Sequence, residues 1–199
     1  MALKFQYNKN ALQDLKRQLS IREKALPILK SKETALRHEV QLLQRTLKSL
    51  EKEIEDAEAE HHQFKTFWAE FPDILVMEPL NMLQKNVVGV KVPYVKQVNF
   101  TLRNMSRFNL PGWIPAGIKV LERIIRLEIE TDIARQQIDI LHSARKKTTQ
   151  KVNLYEKVQI PAFEDATIKI KRFLEDKDNI SKAAQKIVKK RNERKQVPA

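Results

Sequence analysis

The sequence predicts a mainly α-helical protein: a long antiparallel two-helix coiled coil with a small middle region that contains a short β-hairpin. Three observations point there. The chain holds only 3 Gly in 199 residues, and Gly89, Gly112 and Gly117 all fall in the middle, with Pro79, Pro93, Pro111 and Pro115 around them. Two long flanking segments repeat apolar residues at helical spacing, and the stretch between them is rich in β-branched residues. The expected division is an N-terminal coiled-coil helix over 9–72, a middle bulb with a β-hairpin over 73–114, a C-terminal coiled-coil helix over 115–195, and flexible ends at 1–8 and 196–199.

In the first arm, alternating steps of three and four residues from Leu12 reach Leu15, Leu19, Arg22, Leu26, Leu29, Glu33, Leu36, Val40, Leu43, Leu47, Leu50, Ile54, Ala57, His61, Phe64, Trp68 and Phe71. Arg22, Glu33 and His61 are its interruptions, and the phase never slips. An apolar step averaging 3.5 residues makes a narrow seam that stays in contact only between helices that wrap around each other. Asn10 with Gln13 resembles a capping box at the start, and Phe71-Pro72 a stop. A helix of about 60 residues would be about 90 Å long, too long for a compact globule of this size.

The middle run Val87-Val88-Gly89-Val90-Lys91-Val92-Pro93-Tyr94-Val95, followed by Val98-Asn99-Phe100-Thr101-Leu102, reads as a short hairpin in which Pro93 is confined to an edge or a bulge. Eight of the thirteen aromatic residues lie between Phe64 and Trp113. They read as the small core of the bulb, or alternatively as a docking face for a partner, because two strands alone bury little surface.

The second arm begins near Pro115, a residue favoured in a first helical turn. In one unbroken phase its seam is Val120, Ile124, Leu127, Thr131, Ala134, Ile138, Leu141, Arg145, Thr148, Val152, Tyr155, Gln159, Ala162, Ala166, Lys169, Phe173, Asp176, Ile180, Ala183 and Ile187. It weakens after Tyr155. Two heptad arms with a bulb between them fold back most simply as an antiparallel hairpin. With Pro72 level with Pro115, Pro27 lies opposite about position 160, beside Pro161. Each proline removes a helical hydrogen bond, so Pro27 and Pro161 form either a shared hinge or two unrelated kinks.

Composition excludes several functions. With 0 Cys there is no disulfide framework, thiolate nucleophile or thiolate metal site. No G-x-x-x-x-G-K or G-x-G-x-x-G spacing exists, so neither of those nucleotide cradles is present. His38 lacks the second histidine of a zinc-protease helix, and His61-His62 is an isolated pair, read as solvated or seam residues. No catalytic, metal or cofactor residue is expected. Apolar runs such as Ile74–Met77 are too short for a span or a signal-peptide core, so a soluble chain that starts with mature sequence is expected.

Charge is uneven. The net charge is +13, and residues 118–199 hold twenty basic against twelve acidic side chains. Residues 182–195 hold seven basic side chains, Lys182, Lys186, Lys189, Lys190, Arg191, Arg194 and Lys195, against one acidic. A second group is Arg145, Lys146, Lys147 and Lys151. Such a face attracts an acidic partner over long range, or it is simply solvated. A basic coiled coil could instead be a scaffold binding nucleic acid or an anionic membrane surface. No RRM-type aromatic motif or recognition helix is visible, and neither alternative needs strands between the arms.

Three separated blocks resemble the D subunits of the rotary V-type/A-type ATPases, the central rotor axles. Leu15-Lys16-Arg17-Gln18-Leu19 with Ile28-Leu29-Lys30-Ser31-Lys32-Glu33-Thr34-Ala35-Leu36 resembles the family's L-K-x-x-L and L-L-K-x-K-x-x-x-L pattern. Asn86-Val87-Val88-Gly89-Val90-Lys91-Val92-Pro93 resembles N-V-x-G-V-x-x-P. Val152-Asn153-Leu154-Tyr155-Glu156 and Ile160-Pro161-Ala162-Phe163-Glu164 resemble V-N-x-x-E and I-P-x-x-E. The pattern departs at Lys151 and Ala162, where the family usually has arginine.

The resemblance implies a non-catalytic, cofactor-free subunit, cytoplasmic and peripheral to the membrane, that couples ATP hydrolysis or synthesis to ion translocation. Its implied partners are the catalytic ring of nucleotide-binding subunits, a small companion rotor subunit (the F subunit) and a membrane-side socket subunit, with no nucleic acid and only indirect membrane contact. Val88, Gly89, Val90, Val92, Pro93 and Tyr94 are the expected companion contacts. Arg145, Lys146, Lys147, Lys151, Lys182, Lys186, Lys189, Lys190, Arg191 and Arg194 are the expected catalytic-ring contacts.

Overall fold

A computed structural model of the chain describes residues 5–61, 71–103 and 111–195, with side chains described through residue 59 in the first segment and 192 in the last. Phe64 and Trp68 of the expected seam fall outside them. Helix α1 runs Lys9–His61, strands β1 Leu75–Met77, β2 Met82–Val87, β3 Val90–Val95 and β4 Phe100–Leu102 follow, and helix α2 spans Ile114–Leu154. A π-turn at Tyr155–Gln159 leads into helix α3, Ile160–Lys195. Mainly helical architecture with a small antiparallel strand region in the middle is what the periodicity predicts.

The cap of α1 is not the expected Asn10. Asn8 precedes the helix, and its Oδ1 accepts from the Ala11 N–H at 2.6 Å, so the polar side chain just outside the first turn wins over one already inside it. At the other junction Pro115 sits second in α2, where its missing N–H leaves no intrahelical bond unmade.

The chain divides into two units. The first comprises Met1–Ser31 and Thr148–Ala199, the second Lys32–Lys147. In the first unit α1 and α3 pair antiparallel: Arg22 meets Gln159 while Lys30 meets Glu156. Its core is Leu15 against Phe163, Ala166 and Ile170, flanked by Leu12, Leu19 and Leu174. Burying one such large side chain contributes about 1.5–3 kcal/mol. Phe5 packs on this cluster, and Tyr7 lies 4.9 Å from the Phe173 ring.

These core residues correct the expected second-arm seam. Phe163 and Ile170 are buried, whereas Lys169 is exposed and Phe173 is 44% exposed. Leu141, Thr148 and Tyr155 follow at steps of seven, but Phe163 comes eight after Tyr155, and Ile170 seven after that. The π-turn supplies the extra residue: the Ile160 N–H bonds the Tyr155 carbonyl, five residues back instead of four. Apparent weakening of the seam is a slip of phase by one. Pro161 explains the location, because its ring would crowd the carbonyl four residues earlier in a regular helix, and the widened turn moves that carbonyl away.

In the second unit α1 and α2 also run antiparallel, with Glu33 beside Arg145 and Glu51 beside Arg135. Leu36, Val40, Leu141 and the fully buried Val92 form its core. The strand pairing differs from the hairpin expected. β3 pairs with β2, Val87 opposite Val90, while β4 pairs with β1 in a separate two-stranded sheet, Met77 opposite Phe100. The chain reverses inside the apolar run because Val88 and Gly89 both adopt positive φ, 51° and 74°, as a two-residue hairpin turn requires. Asn and Gly are the usual residues there, so a valine gives no turn signal.

Candidate functional site

The hairpin residues singled out from the sequence are largely turned inward. Val87, Val88 and Val90 pack on the Leu36–Val40–Leu141 cluster, and Val92 is its fully buried centre. β2, by contrast, is exposed along Met82–Asn86. Alternation along β3 explains this: Val90 and Val92 share the face laid on the helices while Lys91 points away.

Pro93 fits its strand because it stands at a pair that exchanges no ladder bonds. Val87 and Val90 flank the two-residue turn and are hydrogen-bonded, so alternate pairs are not, and Gln84–Pro93 falls among the latter. The missing N–H therefore points away from β2. The Pro93 carbonyl also points away, and it accepts from Gln137 Nε2 on α2 at 2.5 Å. Gln137 is only 5% exposed, so this bond satisfies a buried amide and ties β3 to the helix. Sequence reading missed Gln137: it lies outside the expected seam, which runs through Ala134, Ile138 and Leu141, and its partner is distant in sequence, so no local signal marks it.

Tyr94 lines an open groove of about 450 Å³ together with Leu43, Leu50, Val98, Arg126 and Ile133. Arg126 stacks 5.3 Å over the Phe100 ring. Of the aromatic group expected as the bulb's core, Phe71 and Trp113 lie 5.9 Å apart. Gly117 makes room for them, since a Cβ there would come within 3.0 Å of Phe71. The six named candidates therefore have different surroundings: Val88, Val90 and Val92 serve the chain's own core, Gly89 is exposed at the turn, Pro93 ties β3 to α2, and Tyr94 borders the open groove.

The cationic candidates lie on α2 and α3. Arg145 is partly covered, its Nε 3.5 Å from Glu33 Oε1. Lys146, Lys147 and Lys151 are exposed, as are Lys182, Lys186, Lys189, Lys190 and Arg191. Arg194 is on α3, with its side chain outside the described residues. From Glu175 to Asn192 every residue of α3 is exposed, including Ile180 at 71% and Ile187 at 68%. That stretch is an amphipathic helix whose apolar stripe nothing described in the first unit covers.

Pro27 and Pro161, the hinge candidates, are both exposed in the first unit. Arg22 and Lys30 stand one turn to either side of Pro27, and they contact Gln159 and Glu156. Pro27 is therefore level with the π-turn, about one turn from Pro161. Among the described residues no cluster of His, Asp and Glu could hold a metal ion, and no helix is long and apolar enough to cross a membrane.

Antiparallel helix pairs and a small strand region are the features on which the three sequence blocks sit, and comparison with known proteins agrees. The sequence matches the family of ATP synthase D subunits over residues 11–190. The chain belongs to that family. It is 28% identical over 190 residues to the V-type ATP synthase D subunit of Borreliella burgdorferi, covering 94% of each chain. The V-type ATP synthase D subunit of Chlamydia muridarum is 26% identical over 197 residues, 96% of this chain and 97% of that one. That of Chlamydia trachomatis serovar L2 is 24% identical over the same length. A member of the D-subunit family thus carries these helices, this hairpin and this cationic tail.

Proposed function

We propose that this chain is the central rotor axle of a V-type/A-type ATPase, a non-catalytic subunit that couples ATP hydrolysis or synthesis in a catalytic ring to ion translocation through a membrane ring. Membership of the D-subunit family over residues 11–190 carries the reading. Physical features support it. Away from the level of Pro27 and the π-turn, paired helices without glycine beyond the first turn of α2 are suited to resist twisting, and the exposed tail of α3 offers cations and an apolar stripe to a surrounding partner.

In this reading the end of α3 and the start of α1 enter a ring of nucleotide-binding subunits. Lys182, Lys186, Lys189, Lys190, Arg191 and Arg194, with Arg145, Lys146, Lys147 and Lys151, meet its acidic surfaces. Attraction that acts over a Debye length centres the shaft without fixing its angle. An asymmetric shaft facing equivalent sites makes their affinities unequal, and by linkage each site's occupancy biases the shaft. The strand region meets a small companion rotor subunit and a membrane-side socket, on the cytoplasmic face. Because Val88, Val90 and Val92 pack inward, companion contact would use Gly89, Pro93, Tyr94 and the groove beside Tyr94.

Purification of the tagged chain from gently solubilised host membranes tests this. An ATPase with two different large nucleotide-binding subunits and a small companion should co-purify. Recovery of the chain alone, or with RNA or lipid and no ATPase, would remove the rotor reading.

A further inference from the structure

Two breaks in helical hydrogen bonding stand at one height of the α1–α3 pair. Pro27 has no N–H, so the Glu23 carbonyl in α1 loses its donor four residues on. Across from it, the π-turn replaces regular bonding between Tyr155 and Gln159, and Pro161 follows without an N–H. Neither helix carries an intact ladder at that level.

Packing also lapses there. No residue of the π-turn is buried, and on α2 and α3 the nearest buried positions are Thr148 and Phe163. On α1 no residue is buried between Leu15 and Leu36. Polar straps take the place of core. Arg22 stands where the α1 seam otherwise has leucine; its Nε donates to Gln159 Oε1 at 2.7 Å and its guanidinium lies 4.3 Å over the Phe163 ring. Lys30 Nζ meets Glu156 Oε1 at 2.6 Å. The Lys30–Glu156 pair is exposed and the Arg22–Gln159 bond only partly buried; such polar pairs hold weakly and re-form easily, whereas interdigitated side chains have one arrangement.

We propose that the level of Pro27 and Tyr155–Gln159 is a built-in joint, where the paired helices bend and twist more readily than on either side, with Arg22 and Lys30 limiting the travel. Low local stability follows from few buried contacts and missing backbone bonds, and both conditions meet here. The joint is a property of the chain itself and stands or falls separately from the rotor reading.

The absence of cysteine makes spin-label pairs straightforward in the full chain. Arg17→Cys with Ser31→Cys spans Pro27, and Lys151→Cys with Asp165→Cys spans the π-turn. His38→Cys with Lys52→Cys is the control on uninterrupted α1. Each pair is fourteen residues apart at exposed positions, about 21 Å along a helix. Pulsed electron–electron distance measurement should give distributions across the joint at least twofold broader than the control. Pro27→Ala combined with deletion of Val158 should narrow them to the control width, and Arg22→Ala with Lys30→Ala should broaden them further. Equal widths in the unmodified background, or no narrowing in the repaired variant, overturns the joint. If circular dichroism shows the combined variant unfolded, Pro27→Ala alone is read with the Arg17–Ser31 pair, by the same criterion.

Discussion

Tyr155 and Phe163 are eight residues apart, and both face α1, where the Arg22 guanidinium lies within 6.0 Å of the first ring and 4.3 Å of the second. A regular heptad seam would separate such positions by seven. One inserted residue, taken up by the π-turn, reconciles the spacing. The seam of α2 and α3 is therefore two segments in different phase.

If the turn is an insertion, removing one residue from it should restore an unbroken repeat. Val158 is 43% exposed, and no residue of the turn is buried. Its deletion should leave helicity unchanged and the melting temperature equal or higher, whereas deleting exposed Lys169 throws Ile170 and Leu174 off the seam and should lower it markedly. Thermal melts of both deletions check this.

Phase also dictates which neighbour matters. Ile170→Ala removes a fully buried side chain and should destabilise by about 2–5 kcal/mol. Lys169→Ala, at a position the unbroken repeat would place in the seam, should change stability by no more than about 0.5 kcal/mol. Urea unfolding of the two variants separates the registers.

Val88 and Gly89 differ in what they tolerate. Gly89→Ala forces a Cβ into the left-handed region and should cost about 1–2 kcal/mol; its 3.2 Å approach to Lys32 Nζ adds little, because that side chain can move. Val88→Asn relieves backbone strain while giving up apolar packing on the Leu36–Val40 cluster, so the net change should stay below about 1 kcal/mol. Val92→Asn buries an amide at a fully enclosed position and should cost more than about 2 kcal/mol. Chemical denaturation of the three variants ranks them.

Charge reversal at Lys182, Lys186, Lys189, Lys190 and Arg191 tests the cationic tail. These exposed side chains should leave the melting temperature of the isolated chain within about 2 °C, since surface changes contribute little. If the proposed ring contact holds, assembly with the catalytic ring should weaken, most at low ionic strength, where the long-range term is strongest. Reconstitution at two salt concentrations reads the difference.

Much of the fold was legible because glycine and apolar spacing act locally. Leu15, Leu36, Val40 and Leu141 were all assigned to the seam, and all are buried. Registers that depend on one residue were not. The π-turn has no composition of its own, and Phe163 is visible as a core residue only once the helix is allowed to slip. Likewise the turn at Val88-Gly89 was hidden inside a run of β-branched residues, because tertiary packing of Val88 outweighs its poor fit to positive φ. Gln137 shows the same limit: its partner is the Pro93 carbonyl, 44 residues away in sequence, and no local pattern announces it.

The most direct test of the proposed axle role is rotation. A single Lys85→Cys change on exposed β2 gives the otherwise cysteine-free chain one attachment point for a visible probe, with the catalytic ring fixed to a surface. ATP should drive the probe stepwise in one sense, at a rate that follows ATP turnover. Continued hydrolysis with a stationary probe would contradict the account.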